Sequence, residues 1–233
     1  MKQFRTLKCN PFMDGQAEFS PDIVYSSPDG KPLIMHLMTP WKNEANKDRR
    51  YPLIVYTEGG GWATPWINFE IPQLAQYARE GYVVATIIHR DVYEGHPFPA
   101  FLQDLKCAIR FLRAHAEEYK IDPSRVVVMG ASAGANASML AALTGDDPRY
   151  KTEDYADESD AVSAVVECFG PADMFTLYDN LGGDDNPNVI RLLTGGNPFT
   201  DEAAREKAIA MSPCHIVADG RKYPPFLMFH GVL

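Results

Sequence analysis

The sequence predicts an α/β fold in which one mainly parallel sheet has helices on both faces. Short β-branched runs recur along the chain, and segments with helical spacing of apolar residues lie between the later ones. Strands that alternate with helices pair in parallel and become covered on both faces. With 233 residues, 45% of them hydrophobic, the chain can build one large core. We therefore expect a single domain over 1–233.

The first two predicted strands differ from the rest in how they are connected. Ile23–Tyr25 and Leu33–Met38 are joined by the turn signal Ser27-Pro28-Asp29-Gly30, which predicts an antiparallel pair at the start of a mixed sheet. The later predicted strands are Leu53–Tyr56, Tyr82–Ile88, Arg125–Met129, Ala161–Phe169 and Phe226–His230.

Three long segments have the pattern of helices. Phe69–Glu80 and Ala100–Tyr119 each place apolar residues on one face, and Ala133–Leu143 is rich in Ala, Met and Leu, which is typical of a buried helix. The segment 173–210 is instead rich in Gly, Asn, Asp and Pro, with short helical pieces at Val189–Leu193 and Glu202–Ile209. We interpret it as an insertion over the sheet, either a lid or a plain connection.

Charge and hydropathy exclude several classes of function. The formal net charge is −9 and no stretch of Lys and Arg stands out, so nucleic acid is not expected as a partner. No segment is long and apolar enough to span a membrane, and residues 1–15 lack the apolar core of a signal peptide. We therefore expect a cytoplasmic protein, and the acidic stretch Asp146–Asp160 is expected to be a solvated loop.

The four cysteines do not follow a metal-binding or disulfide pattern. They are far apart and include no C-x-x-C pair, so their spacing predicts neither a zinc site nor a disulfide framework. Two of them lie in apolar runs and are expected to be small buried side chains. The cysteines are Cys9, Cys107, Cys168 and Cys214, of which Cys107 and Cys168 are the two in apolar runs.

A candidate nucleophile follows the predicted strand Arg125–Met129. The sequence Gly130-Ala131-Ser132-Ala133-Gly134 is G-x-S-x-G between a strand and a helix, the context in which this motif exposes a reactive serine. The glycines permit a sharp turn, and the helix N-terminus places its positive end beside a developing oxyanion. The motif predicts Ser132 as nucleophile and the Ala133 amide as one oxyanion donor.

A glycine loop supplies the second part of the predicted site. The strand Leu53–Thr57 leads into Glu58-Gly59-Gly60-Gly61-Trp62, where consecutive glycines allow backbone N–H groups to point into a site. A phosphate loop would require Lys-Ser or Lys-Thr after its glycines, and neither follows. We assign the other oxyanion donors to Gly60 and Gly61, and substrate contacts to Trp62 and His96.

With these motifs the chain resembles the α/β-hydrolases related to hormone-sensitive lipase and to bacterial carbohydrate esterases of the acetylxylan type. The resemblance implies the α/β-hydrolase fold and the hydrolysis of acetyl or aryl esters. The implied substrates include esters of carbohydrates, and no cofactor or metal is implied. Besides the G-x-S-x-G sequence and the glycine loop, it is carried by His89-Arg90, His96–Ala100 (H-P-F-P-A), Asp104, Ile121–Arg125 (I-D-P-S-R), Phe169–Asp173 (F-G-P-A-D) and Pro225–Gly231.

Two departures from the family pattern affect the site. Glu58 stands where the family usually has His before the glycines. The final residues Phe229–Leu233 resemble the start of the family's H-G-x-x-D motif, so the resemblance implies that the triad acid would be the next residue and the catalytic His would follow later. We therefore expect the acid, the base, the last strand and the last helices beyond residue 233. The run Phe226–His230 is then expected to be an exposed apolar edge.

Three hypotheses about the function remain open from the sequence alone. The first is an ester hydrolase acting on a small-molecule or carbohydrate ester. The second is an inactive truncated or degenerate hydrolase, because a serine without its base retains only the residual rate from binding and an oxyanion hole. On that ground the 233 residues by themselves are expected to be inactive. The third is a peptidase of the prolyl-oligopeptidase type, which the glycine loop disfavours. The oligomeric state is open.

Overall fold

The computed structural model describes residues 15–185 and 188–231 of the chain, so the predictions on Cys9 and residues 1–14 lie outside the described residues. The strands are β1 (Ala17–Ser26), β2 (Leu33–Pro40), β3 (Tyr51–Thr57), β4 (Val83–Ile87), β5 (Ile121–Ala131), β6 (Ala164–Cys168) and β7 (Phe226–Phe229). The helices are α1 (Ile71–Arg79), α2 (Ala100–Ala114), α3 (Ala133–Leu143), α4 (Met174–Asn180), α5 (Val189–Thr194), α6 (Glu202–Met211) and α7 (Pro213–Ile216).

The seven strands form one mixed sheet in the order β1-β2-β4-β3-β5-β6-β7. The pairs β1–β2 and β2–β4 are antiparallel, and the remaining pairs are parallel. This confirms both the mainly parallel sheet and its antiparallel start. Because β3 and β5 are adjacent and parallel, the glycine loop after β3 and the turn after β5 leave the same edge of the sheet.

Helices pack on both faces of the sheet, as predicted. On one face α2 and α3 cover the larger apolar core. On the other face α1 contributes Leu74 and Ala78 to a smaller cluster with Met38, Ile54 and Val84. Helix α3 is buried along its whole length, because its small side chains let it approach β5 and β6 closely.

The bounds of several predicted elements shift, and β1 begins at Ala17 rather than Ile23. Helix α2 ends at Ala114 rather than Tyr119, and β5 begins at Ile121 rather than Arg125. The chain turns between them, since the Ile121 amide donates to the Ala116 carbonyl and Lys120 has a φ of 57°. Helical periodicity continues through this turn in the sequence, which is why the pattern alone placed the end of the helix too late.

The segment 173–210 packs on the same core as the rest of the chain. Its helices α4, α5 and α6 contribute side chains to the larger apolar cluster, and α5 and α6 pack against each other. A function as a lid stays a prediction. The buried contributors include Met174, Ile190, Leu193 and Ala208.

Strand β7 lies at the edge of the sheet, paired with β6. Its side chains Leu227, Met228 and Phe229 are 54%, 61% and 51% exposed. The predicted exposed apolar edge at this run is therefore confirmed for the described residues.

Three predictions about burial can be compared with the structure. Cys107 is buried as predicted. Cys168 is partly exposed, because alternation along β6 places it in a surface groove with Val166 and Phe229. The solvated loop predicted over Asp146–Asp160 is wrong for Asp160, whose side chain is fully buried between Lys106 and Arg110.

None of the helices in the described part of the chain combines the length and the apolar character needed to cross a bilayer.

Candidate active site

Ser132 lies in a strained turn between β5 and α3. Its φ of 52° and ψ of −121° fall outside the regions that non-glycine residues normally adopt. Its amide donates to the Cys168 carbonyl (3.0 Å), and its carbonyl accepts from the Asn136 amide (3.1 Å). Hydrogen bonds from the amide and to the carbonyl of Ser132 thus hold its strained backbone. The residue lines a cavity at the carboxyl ends of the parallel strands.

The two glycines of G-x-S-x-G are required by close backbone approach. A Cβ added to Gly134 would lie 2.0 Å from the Thr57 carbonyl oxygen, and one added to Gly130 would lie 2.3 Å from the Gly134 carbonyl oxygen. Both obstructing atoms belong to the backbone, so no side-chain rotation can relieve the overlap. The first turn of α3 therefore sits directly against the end of β3, where the glycine loop starts.

Gly134→Ala is expected to lower the free energy of unfolding by about 1–3 kcal/mol, since the added methyl group separates α3 from β3. It should also displace Ser132 relative to the glycine loop. Urea unfolding measures the loss. Gly231→Ala is the matched control, because a Cβ there has no atom within 4 Å. Equal stability of the two variants would show that the contact between α3 and β3 is looser than the structure indicates.

The glycine loop passes within contact distance of the serine. A Cβ added to Gly59 would lie 3.0 Å from the Ser132 Cβ. Gly60 and Gly61 have φ values of 134° and 64°, which glycine adopts without strain. Among residues 15–185 and 188–231, the amides of Gly60, Gly61 and Ala133 have no hydrogen-bond acceptor. Three unpaired amide donors therefore belong to the glycine loop and to the first residue of α3, the two segments next to Ser132.

The Ser132 cavity has a volume of about 660 Å³ and is mostly apolar. Gly61 and the buried Trp62 line it, and the Trp62 indole Nε1 has no partner among the described residues. His96 lies elsewhere, in a separate cavity of about 340 Å³ with Arg90. The structure thus brings Ser132, Gly61 and Trp62 together, and does not bring His96 to them. The other lining residues come from the β6–α4 connection, from α4 (Thr176, Leu177, Asn180), from Leu181 and Val189, and from Met228 and His230 at the end of the chain's last strand.

Glu167 is a cavity residue that the sequence analysis missed. It is 1% exposed, and its neighbour across the β5–β6 ladder is Gly130. One carboxylate oxygen accepts a hydrogen bond from the Gly170 amide, and Oε2 has no partner among the described residues. A single charged residue within the apolar run Ala161–Phe169 was the available signal, because carboxylates are rarely buried without a reason.

Ser132 has no hydrogen bond to a histidine in the part of the chain that the structure describes. Three histidines bond elsewhere, namely His36 to Asn68, His89 to the Arg90 carbonyl and His115 to the Phe111 carbonyl. His215 Nε2 lies 3.5 Å from the Asp173 Oδ1. His96 lies in the separate cavity, and His230 lines the Ser132 cavity with its Nδ1 3.3 Å from the Gly231 carbonyl oxygen.

Glu58, the departure from the family's usual His, lies partly buried before the glycines. Burial raises the pKa of its carboxyl group, and the negative charge of Glu70 raises it further, against a hydrogen bond from the Trp66 backbone. The bond to Trp66 shows that the carboxylate supports the loop that follows the glycines. The raised pKa shows that the negative form is less stable here than in water.

Glu58→Gln is expected to stabilise the protein at pH 7 and to have little effect below pH 4.5. Because the folded pKa of Glu58 lies above its unfolded value of 4.5, folding disfavours the ionised form. The free energy of unfolding therefore falls as pH rises from 4.5 through the folded pKa, and stays lower above it. Urea unfolding of E58Q and of the exposed control E153Q, at pH 7 and pH 4, checks this. A gain of the same size at both pH values would rule out ionisation as its source.

Comparison with known proteins identifies similar chains. The BD-FAE family profile matches residues 41–232. The probable carboxylic ester hydrolase LipM of Mycobacterium tuberculosis is 31% identical over 182 residues, which are 77% of this chain and 40% of LipM. Esterase LipC of the same organism is 27% identical over 203 residues, 84% of this chain and 47% of LipC. The chain thus spans about half the length of the curated relatives it matches.

A solved structure of an esterase is also similar to this chain. A truncated form of a carbohydrate esterase from gut microbiota superposes with a TM-score of 0.74 and 25% sequence identity, covering 94% of this chain and 78% of that one. The superposition shows that the chain has the α/β-hydrolase fold.

Proposed function

Because the chain belongs to the BD-FAE family and has the α/β-hydrolase fold, we propose that the protein hydrolyses carboxylic esters through an acyl-enzyme formed on Ser132. The observation that carries the proposal is the strained backbone of Ser132 beside three unpaired amides. A residue is held in such a conformation only where surrounding structure imposes it, and this cost is common at catalytic residues. The names of the relatives, which are esterases and carboxylic ester hydrolases, support the same reaction.

In the proposed reaction the Ser132 hydroxyl oxygen attacks the carbonyl carbon of the ester. The hydroxyl proton passes to a general base, and the carbonyl oxygen becomes an oxyanion that accepts hydrogen bonds from the amides of Gly60, Gly61 and Ala133. Collapse of this intermediate expels the alcohol with a proton and leaves the acyl group on Ser132. Water then releases the acid. The triad acid and base predicted beyond residue 233 stay a prediction.

We propose acetyl or aryl esters, those of carbohydrates included, as the substrate class. The cavity with Trp62 can accept an acyl or aryl group, because apolar atoms make up most of its lining surface. The gut carbohydrate esterase that superposes on the chain supports a sugar as the alcohol. Comparing hydrolysis of 4-nitrophenyl acetate with deacetylation of an acetylated xylo-oligosaccharide distinguishes a simple ester from a sugar ester as the preferred substrate.

Covalent labelling tests the assignment of the nucleophile. A fluorophosphonate reacts when a serine oxygen displaces fluoride from phosphorus, so the full-length protein should gain the mass of one phosphonyl group. Peptide mapping should find the group on Ser132. Ser124→Ala is the matched control and should label normally, because Ser124 is exposed and bonds to Asp122. A label on another serine, or none on a folded protein, would contradict the proposal.

A further inference from the structure

A carboxylate, a thiol and an imidazole meet beside the Ser132 cavity. Asp173, Cys214 and His215 each offer one ligand atom, and these atoms all lie within 4.8 Å of one another. Asp173 also lines the Ser132 cavity, whereas Cys214 and His215 belong to α7. The sequence spacing of the cysteines did not predict this cluster, because Asp173 lies far from Cys214 along the chain.

We propose that Asp173, Cys214 and His215 bind a zinc ion, with water as the fourth ligand. Sulfur, nitrogen and oxygen ligands of these three types are the ones zinc prefers. The His215 Nε2 lies 3.5 Å from the Asp173 Oδ1. Two ligands about 2.0–2.1 Å from a tetrahedral zinc ion lie roughly 3.4 Å apart, so this pair already has the required separation.

The backbone holds the three ligands on anchored elements. The Cys214 amide donates to the Ala172 carbonyl (3.2 Å), which fixes α7 next to the residue preceding Asp173. The buried Pro213 begins α7, and α7 packs against α3 and α6. These contacts hold the backbone of α7 next to the start of α4, where Asp173 lies.

Asp173 retains the capacity to bind an ion. One of its oxygens accepts from the Phe175 amide and the other from the Thr176 hydroxyl group, and each carboxylate oxygen has a second lone pair. Among the described residues its one salt bridge is with His215, so no Lys or Arg occupies the position of the metal. The Cys214 thiol lies beside this Asp–His pair and supplies the third ligand atom, of a type that zinc prefers.

Zinc binding would join α7 to the start of α4. The thiol of Cys214 loses its proton to solvent as the zinc–sulfur bond forms, and His215 binds as neutral imidazole. Helix α4 supplies Thr176 and Leu177 to the wall of the Ser132 cavity. The bound ion would therefore stabilise this wall, and the thermal midpoint of the protein should rise with zinc concentration.

Cobalt substitution tests the site by a signal that does not depend on ester hydrolysis. The full-length protein, stripped with a chelator, is titrated with Co²⁺. We expect one equivalent to bind, with a near-ultraviolet charge-transfer band from thiolate to cobalt that zinc abolishes. Cys214→Ser should remove the band, and His215→Gln should weaken binding by an order of magnitude or more. Both positions are exposed, so the fold should tolerate either change.

Cys168→Ser is the matched control, because Cys168 is a free, partly exposed thiol outside the cluster. It should keep the full band and affinity. A titration without a thiolate band would overturn the proposal. So would a band that survives in C214S or disappears in C168S. If C214S does not fold, unchanged cobalt affinity in folded H215Q would overturn it.

Discussion

Ser132→Ala is expected to reduce kcat/KM for 4-nitrophenyl acetate by at least about 10³-fold, toward the residual rate that binding and an oxyanion hole supply. The substitution removes one oxygen atom. It keeps the strained backbone, because Ala meets the same steric limits as Ser at a φ of 52°. The hydrogen bonds of the Ser132 amide and carbonyl also remain, since both are backbone bonds. The stability of the protein should therefore change little while the activity is lost.

Steady-state kinetics of the full-length protein, with thermal unfolding of the same samples, measures the two effects separately. Ser124→Ala removes an equivalent hydroxyl group on the surface and should keep the rate of the unmodified protein. If S132A and S124A hydrolyse the ester at the same rate, another residue is the nucleophile. If S132A loses activity and also unfolds at a much lower temperature, Ser132 acts through the fold.

Asp160→Asn is expected to lower the free energy of unfolding by about 3–5 kcal/mol, the usual cost of removing one partner from a buried ion pair. Asp160, Lys106 and Arg110 have side chains that are 0% exposed. One Asp160 oxygen accepts from Lys106 Nζ (2.6 Å) and the other from Arg110 Nη1 (3.2 Å). Without the carboxylate, two buried cations would face a neutral amide. The loss is large compared with a total stability of about 5–15 kcal/mol for a typical domain.

Asp147→Asn provides the matched control for D160N. Asp147 pairs with Arg149 at the surface (2.6 Å), where ion pairs contribute about 0–1 kcal/mol. Its side chain caps the turn after it by accepting from the Arg149 amide, and Asn can do the same. Urea unfolding of both variants at pH 7 compares a fully buried aspartate with one that is partly exposed. Similar midpoints would show that water reaches the Asp160 cluster.

The contrast between Asp160 and Asp147 shows which structural features follow from the local sequence and which depend on packing. The acidic stretch Asp146–Asp160 looks uniformly solvated in the sequence, yet Asp160 is one of the most buried charges of the chain. Its two charged partners come from α2, far away in the sequence. The residues next to Asp160 in the sequence do not indicate these partners. The buried ion pairs of Asp160 therefore form only because α2 packs against this segment.

The residues that line the Ser132 cavity also could not be predicted from the local sequence. His96 lies near the glycine loop by its position after β4, but its side chain lines a different cavity. Glu167 and the residues of α4 do line the Ser132 cavity, because the register of β6 against β5 places Glu167 beside Gly130. Register and helix packing set such neighbours, and neither is written in the local spacing of residues.

The sequence by itself determined the described strands, the helices α1, α2, α3, α5 and α6, the mainly parallel sheet, the turn that carries Ser132 and the glycine loop before Trp62. It did not predict α4 or α7. These features depend on local chemistry, namely β-branched runs, helical periodicity and glycines at positions that tolerate no side chain. The tertiary structure alone decided the burial of Asp160, the position of Glu167, and the meeting of Asp173 with Cys214 and His215. These depend on contacts between residues distant in the chain, and such contacts exist only after the sheet and its helices have packed together.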